Sequence, residues 1–338
     1  MTPVNSLRFV PDHAIAGIPN VVVDGAPNTD TRLTLSHWPG APTPPDLRDD
    51  LSAQIAFHAL GRPALFDGIE AVTNNHFDQD GLVSAFALLH PELAFPRRDE
   101  LIDIASAGDF GTFVSRDSAR VAMMIAALDD DDRSPLTGSQ LAQPYPRRCG
   151  ALYEWALPRL LEIADHLGQW RHLWGDEDAH LTRSLDAIAS GAAHVEEYPD
   201  IDLAVFTVPE RWSARATSRF TVGRADALHP MAVANSTQRM RIAVVGADSC
   251  TVELRYESWV MFASRPVLPR PDLRLLAEEL DALEPAAGGW HADPPGALTP
   301  QLRWAAEGSS GLSPGHFLHT TRSFLQHAEP AWDPFAAH

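Results

Sequence analysis

The sequence predicts an α/β protein with a parallel-sheet domain, a helical connector and a smaller second α/β domain. Three observations carry this prediction. Short apolar β-type runs around Val22 and Val72 each end in a polar, acid-bearing loop, with amphipathic helical stretches between and after them. The stretch from about residue 150 to 193 reads as almost wholly helical, with Trp155, Leu160, Leu161, Ile163 and Leu167 at helical spacing. Beyond residue 200 the texture returns to β-type runs followed by a helix.

In chain order, Asn20-Val21-Val22-Val23-Asp24-Gly25 is a short strand closing on an acid and a glycine. Thr31 to His37 alternates at period two and ends in a histidine. A loop rich in proline (Pro39, Pro42, Pro44, Pro45) leads into an expected helix over Asp46 to Leu60. A strand at Glu70 to Thr73 runs into Asn74-Asn75-His76-Phe77-Asp78-Gln79-Asp80-Gly81, and a helix over Leu82 to Leu89 follows. Strand, polar loop, helix is the arrangement in which α/β proteins place ligands, beyond the carboxyl ends of their strands. Further helices are expected at Arg98 to Ala107, which ends in Gly108-Asp109-Phe110-Gly111, and at Asp117 to Leu128. Asp129 to Asp132 reads as a solvated acidic loop. In the second half, Ile201 to Val208, Met240 to Val245 and Thr251 to Trp259 read as strands, and Asp272 to Leu283 as a helix. The expected domains are therefore 1–130, a connector at 131–199, a second domain at 200–305 and a tail at 306–338.

Composition excludes several kinds of chemistry. The 338 residues carry 45 acidic against 26 basic side chains, a net charge of −19, and every basic residue is arginine. Without lysine there can be no lysine Schiff base, pyridoxal-phosphate anchor or phosphate-loop lysine. The acidity argues against binding duplex nucleic acid, which requires neutralising phosphates. Cys149 and Cys250 are too few for a disulfide framework or a thiolate zinc site. The longest apolar runs, such as Val121 to Leu128, are too short to cross a bilayer, and Met1 to Asn20 lacks a signal-peptide pattern. A cytoplasmic protein with no membrane partner is expected.

His76, Asp78 and Asp80 occupy alternate positions before a glycine. In a loop leaving a strand, alternate side chains point the same way, so three ligating groups can converge. Carboxylates with an imidazole suit divalent ions such as Mn²⁺ or Mg²⁺. A calcium-binding EF-hand does not fit: aligning Gly81 with the invariant glycine places His76 first and Ala87 where a bidentate glutamate is required. A plain turn accounts for Asn, Asp and Gly, but not for ligand types in alternation.

The run His-Phe-Asp-Gln-Asp-Gly-Leu-Val-Ser-Ala from His76 to Ala85 resembles the first motif of the DHH phosphoesterase superfamily, His-x-Asp-x-Asp-Gly-x-x-Ser-Ala. The resemblance implies a two-ion site, usually Mn²⁺, that hydrolyses phosphodiesters, pyrophosphate or polyphosphate. It also implies a lone aspartate after a strand, a histidine from the Asp-His-His triplet and a late aspartate. Asp24, His37 and Asp109 match these, and Asp50-Leu51-Ser52-Ala53-Gln54 is similar to the helix after the triplet. Ser36 and Trp38 stand at the outer triplet positions, so the second histidine, a phosphate contact in the family, is replaced. The Asp24 and His37 elements also precede the first motif, an order that a circular permutation explains. Downstream, Thr251 to Tyr256, the helix at Asp272 to Leu283 and Gly288-Gly289-Trp290-His291 resemble the DHH-associated domain. That likeness implies a substrate-holding role for Arg255, Gly288, Gly289 and His291.

The expected function is a divalent-metal-dependent hydrolase, a phosphoesterase or pyrophosphatase acting on a small phosphorylated or nucleotide-like substrate through a metal-activated water. The expected metal ligands are Asp24, His37, His76, Asp78, Asp80 and Asp109. The expected cofactor is two divalent cations, Mn²⁺ with Mg²⁺ as the alternative. A second expectation, favoured by the missing triplet histidine, is a relative that binds nucleotide or metal without turnover. A third is a hydrolase of non-phosphate bonds, since fold and metal do not fix the substrate.

Overall fold

A computed structural model describes residues 7–208, 228–246, 249–284, 289–306 and 308–336. The chain forms two compact units, divided between Ala179 and His180.

The first unit holds a parallel sheet of four strands: β1 (Arg8–Phe9), β2 (Asn20–Val23), β3 (Thr31–Leu35) and β4 (Ala71–Thr73), in the order β1-β4-β2-β3. β2 pairs with both neighbours, Val22 opposite Thr34 on one side and Thr73 on the other. Every residue of β2 and β4 is buried, as expected for inner strands of a parallel sheet and for the unbroken apolar runs that encode them.

Nine helices belong to the chain between β3 and the second sheet: α1 (Ser52–Leu60), α2 (Gln79–Leu89), α3 (Pro91–Ala94), α4 (Arg98–Asp109), α5 (Arg116–Ala127), α6 (Gly138–Leu141), α7 (Tyr145–Ala156), α8 (Leu160–Asp165) and α9 (Arg171–Ser190). α2 is the central one, packed against α1, α4, β2 and β4. Gln79 through Leu88 are all buried, so its apolar surface runs round the whole helix rather than along one stripe. It starts at Gln79, a turn earlier than its first apolar residues predict, because Asp78 caps it: the Asp78 carboxylate accepts from Gly81 N at 2.8 Å. The helix expected from Asp46 is split, with a 3-10 turn at Pro45–Leu47 and α1 beginning only at Ser52.

The expected connector at 131–199 is not a separate body. Residues up to Ala179 belong to the first unit and those from His180 to the second. Tyr153 shows why: fully buried, it stacks on Phe9 of β1 at 4.7 Å and meets Phe77 edge-on at 5.1 Å, which draws α7 onto the sheet.

The second unit holds a mixed sheet in the order β5-β6-β7-β8-β10-β9. Its strands are β5 (His194–Tyr198), β6 (Leu203–Val208), β7 (Arg241–Gly246), β8 (Cys250–Leu254), β9 (Trp290–Ala292) and β10 (Gln301–Trp304), and its remaining helices are α10 (Pro230–Ser236), α11 (Leu273–Leu283) and α12 (Pro314–His327). β6 and β7 pair in parallel; the other neighbours run antiparallel. The period-two rule reads directly in β6. Leu203 and Val205 join a core with Leu273, Leu276, Leu280, Phe317 and Phe324, whereas Ala204, Phe206 and Val208 join another with Ile188 and Val233. The expected tail at 306–338 contains α12, capped by Ser313 and burying Phe317, Thr321 and Phe324. Its apolar stripe is sparse enough to be hidden among His, Ser and Thr.

Arg270 ties the loops of this unit together. It is 1% exposed, and its guanidinium donates to Ser258 Oγ at 2.8 Å and to the carbonyls of Arg255, Pro295, Ala297 and Leu298 at 2.5–3.1 Å. Burial pushes the guanidinium down to about 9, with Glu257 opposing that shift. Replacing Arg270 by Met removes the donor shared by the Pro295, Ala297 and Leu298 carbonyls, whereas the Arg255 carbonyl still accepts from Ser258. The expected cost is about 3 kcal/mol, a fall in melting temperature of roughly 6–12 °C for a unit of this size. Calorimetric melting curves that superimpose on the wild type would contradict the role given to Arg270.

Candidate metal centre

Three neighbouring parallel strands deliver the centre at their carboxyl ends. Asp24 follows β2, His37 lies just past β3, and the segment His76 to Asp80 leaves β4 and enters α2. Asp109, the last residue of α4, completes the set. His37 Nε2 lies 3.3 Å from Asp24 Oδ1, 3.5 Å from Asp109 Oδ2 and 3.9 Å from Asp80 Oδ2. His76 Nε2 lies 2.9 Å from Asp78 Oδ2 and 3.2 Å from Asp24 Oδ2. The structure thus brings all six residues together as two groups able to hold a metal ion, Asp24-His37-Asp80-Asp109 and Asp24-His76-Asp78, with ligand atoms within 4.8 Å in each. Asp24 belongs to both and turns one carboxylate oxygen to each.

Local structure fixes each side chain. Asp24 is held at φ 47°, a left-handed conformation that costs a non-glycine residue on the order of 1 kcal/mol and is best tolerated by Asp and Asn. Leu51, at the N-cap of α1, has no side chain able to cap the helix, although Gln54 accepts from the Leu51 N–H at 3.1 Å. The first two N–H groups of α1, of Ser52 and Ala53, instead donate to the two oxygens of Asp80 at 2.7 Å each, so the positive end of the helix faces a carboxylate. The Ser52 hydroxyl donates to Asp24 Oδ1 at 2.9 Å.

Both histidines are turned by the ring nitrogen that faces away from the carboxylates. His37 Nδ1 meets the Asp50 carbonyl at 2.5 Å, and a carbonyl can only accept; the proton therefore sits on Nδ1 and the neutral ring offers the Nε2 lone pair to the cluster. His76 Nδ1 faces Asn75 Oδ1 at 3.2 Å in the same sense. The His76 backbone N–H donates to Asn74 Oδ1, and Asn74 Nδ2 donates to Tyr153 Oη at 2.9 Å. Gly81 makes this packing possible: a Cβ there would lie 2.3 Å from Asn74 Nδ2 and 2.5 Å from Tyr153 Oη. Trp38 packs its indole on His76, with ring centroids 5.0 Å apart.

The donor set passes a test of fit for divalent cations. Asp24, Asp78, Asp80 and Asp109 are buried, and Asp24 Oδ2 accepts no well-aligned hydrogen bond. Burying carboxylates side by side costs several kcal/mol per ion unless a cation or a proton compensates. Two divalent ions would carry as much positive charge as the four carboxylates carry negative. Without them, protons take that place. For His37, burial favours the neutral ring, but the hydrogen bond to Asp24 and the charges of Asp24, Asp80 and Asp109 outweigh it and push the imidazole up to about 10. For His76, burial is again outweighed, by Asp78 and Asp24, and the ring rises to about 10. Asp80 is raised well above the usual carboxylate range by burial, then by Asp24.

The remaining expected residues have other surroundings. Arg255 is buried, donates to the Thr237 carbonyl at 3.0 Å and pairs with Glu257, so its guanidinium is engaged inside the second unit and is not an open fork. Gly289 N donates to Asp281 Oδ1 of α11 at 2.8 Å, so its backbone is engaged within the second unit. His291 is exposed on β9, and Gly288 lies outside the described residues. Conversely, sequence reasoning assigned no role at the centre to Ser52, Asn74, Trp38 or Tyr153. The first three lie within the sequence stretches that carry the expected ligands or their neighbours. Tyr153 meets Asn74 across 79 positions, with no local signal to reveal it.

Because both histidines titrate higher in the folded chain than their ordinary value of 6.5, their protonation stabilises the metal-free fold fully below pH 6.5. That contribution is lost as pH rises toward 10. The metal-free protein should therefore melt progressively lower from pH 6.5 to 10, and Mn²⁺ should raise the melting temperature more at the alkaline end. Melting curves at several pH values, with chelator and with Mn²⁺, check both trends; a metal-induced increment that shrinks as pH rises contradicts them.

No curated protein matches the sequence. A solved structure described as a member of the s1p family of ribosomal proteins, DHH domain, aligns at 13% identity with a TM-score of 0.33, covering 91% of this chain and 70% of that one. A family model matches residues 5–336, nearly the whole length, and the chain belongs to the family it describes, a family of unknown function (DUF6687).

Proposed function

We propose that the protein is a divalent-metal-dependent hydrolase of the DHH phosphoesterase type, acting on a small phosphorylated or nucleotide-like substrate. The observation that carries this reading is the shared carboxylate: Asp24 sets one oxygen toward His37 and the other toward His76, each beside its own acids. Paired ions held this way supply Lewis acidity and lower the pKa of bound water. The residues divide the work. Asp24, His37, Asp80 and Asp109 form a fully buried group suited to a closed ion site. Asp24, His76 and Asp78 offer fewer ligands, and His76 is 14% exposed, so this side would keep a position open to substrate. Carboxylates mixed with imidazoles favour Mn²⁺ over Mg²⁺, which prefers oxygen alone.

A second reading, a binder without turnover, is favoured by one observation: Trp38 packs on His76, and its indole cannot neutralise an anion as a histidine can. The two readings part on chemistry. Full-length protein is freed of metal, reloaded with Mn²⁺ and offered pyrophosphate, a nucleoside phosphate and an aryl phosphodiester. The hydrolase reading expects phosphate or aryl alcohol release, lost at least a hundredfold in Asp78→Ala and Asp80→Ala, with metal content falling in both. Mn²⁺ uptake without turnover of any of these substrates favours the binder. Equal metal content in the wild type and both variants would falsify the metal centre itself.

A further inference from the structure

We infer that Ser52 is the positioning residue that makes Asp24 a bridge between the two ligand groups. This rests on the two-ion reading above and extends it to a side chain that need not ligate anything. Ser52 is fully buried at the start of α1, and three segments converge on it. Its hydroxyl donates to Asp24 Oδ1 at 2.9 Å and accepts from His37 N at 3.2 Å. Its own N–H donates to Asp80 Oδ2 at 2.7 Å. One residue therefore touches the ends of β2 and β3 and the first turn of α2.

The hydroxyl and the N–H have different consequences. The bond from Ser52 N to Asp80 is made by backbone and survives any change of side chain other than proline. The hydroxyl has a single proton, and because His37 N can only donate, that proton must go to Asp24 Oδ1. A carboxylate held at Oδ1 cannot rotate freely, which leaves Oδ2 facing His76 Nε2 at 3.2 Å. With the hydroxyl removed, Oδ1 keeps only the His37 ring at 3.3 Å, which belongs to the buried group itself; the carboxylate is then free to turn both oxygens toward that group, and the other keeps only His76 and Asp78. Ser52 thus sets whether the two sites are coupled while contributing to neither. Partners behind metal ligands typically change metal affinity about 10- to 100-fold.

The test uses the full chain, stripped of metal and titrated with Mn²⁺, as wild type and as Ser52→Ala, Ser52→Thr and Ser52→Val. Metal content gives the stoichiometry. Electron paramagnetic resonance tells an exchange-coupled ion pair from isolated ions, a signature that a purely structural loss would not move selectively. Thr keeps the hydroxyl and Val copies the shape of Thr without it, so this pair isolates the hydroxyl even where Ala folds poorly. Wild type and Ser52→Thr should bind a coupled pair. Ser52→Ala and Ser52→Val should keep the buried site, bind the second ion roughly 10- to 100-fold more weakly, and show only the hyperfine-split signal of isolated Mn²⁺. Coupled pairs in Ser52→Ala or Ser52→Val overturn the inference, as does a Thr variant that behaves like Val. A wild type that never shows a coupled pair overturns the two-ion reading itself, so the two failures are told apart by the wild type alone.

Discussion

The first unit is organised around the burial of four carboxylates beside two imidazoles, an arrangement that apolar packing alone cannot stabilise. Each acid would repel its neighbours in a low-dielectric interior, so the surrounding chain is arranged to hold them and to await compensating charge. The N-terminus of α1 is aimed at Asp80, Asp78 caps α2, and Ser52 holds Asp24. These contacts link helix starts to strand ends, which is where a parallel sheet leaves room for polar groups. The rest of the unit makes that arrangement rigid. α2 is buried on every side, and Tyr153 reaches from α7 to lock Asn74 beneath the His76 backbone.

The second unit solves a different problem. Its mixed sheet is covered on both faces, and its buried arginines serve backbone carbonyls and an internal glutamate. In a chain without lysine, arginine is the residue that can span several loop carbonyls, because its planar fork presents donors in fixed directions. Arg270 uses that property structurally, and Arg255 is committed in the same way. Arginine in a sequence is therefore an ambiguous sign of anion binding here, and burial resolves the ambiguity.

Much of the centre was legible in the sequence. Alternation of His76, Asp78 and Asp80 after a strand has a direct geometric meaning, and Asp24 and His37 stand at the ends of recognisable β-type runs. β2, β3 and β4 are neighbours in one parallel sheet, so their carboxyl ends meet whatever their order along the chain. Less was legible about boundaries. Helical periodicity between 131 and 199 says that helices exist, but it carries no information about which unit each one joins. In α12 the buried positions Phe317, Thr321 and Phe324 include a threonine, which breaks the apolar pattern.

The sequence by itself determined the residue types, their spacing along each strand end and the exclusion of lysine chemistry, because these are properties of the chain read one segment at a time. Only the tertiary structure decided that Asp24 faces both histidines, that Ser52 and Tyr153 support the centre, and that Arg255 is buried in an ion pair. The physical reason is separation: Tyr153 and Asn74 lie 79 positions apart, and Ser52 lies 28 from both Asp24 and Asp80. Local periodicity fixes which way a side chain leaves its own strand or helix, but contacts across such distances are set by how whole elements pack.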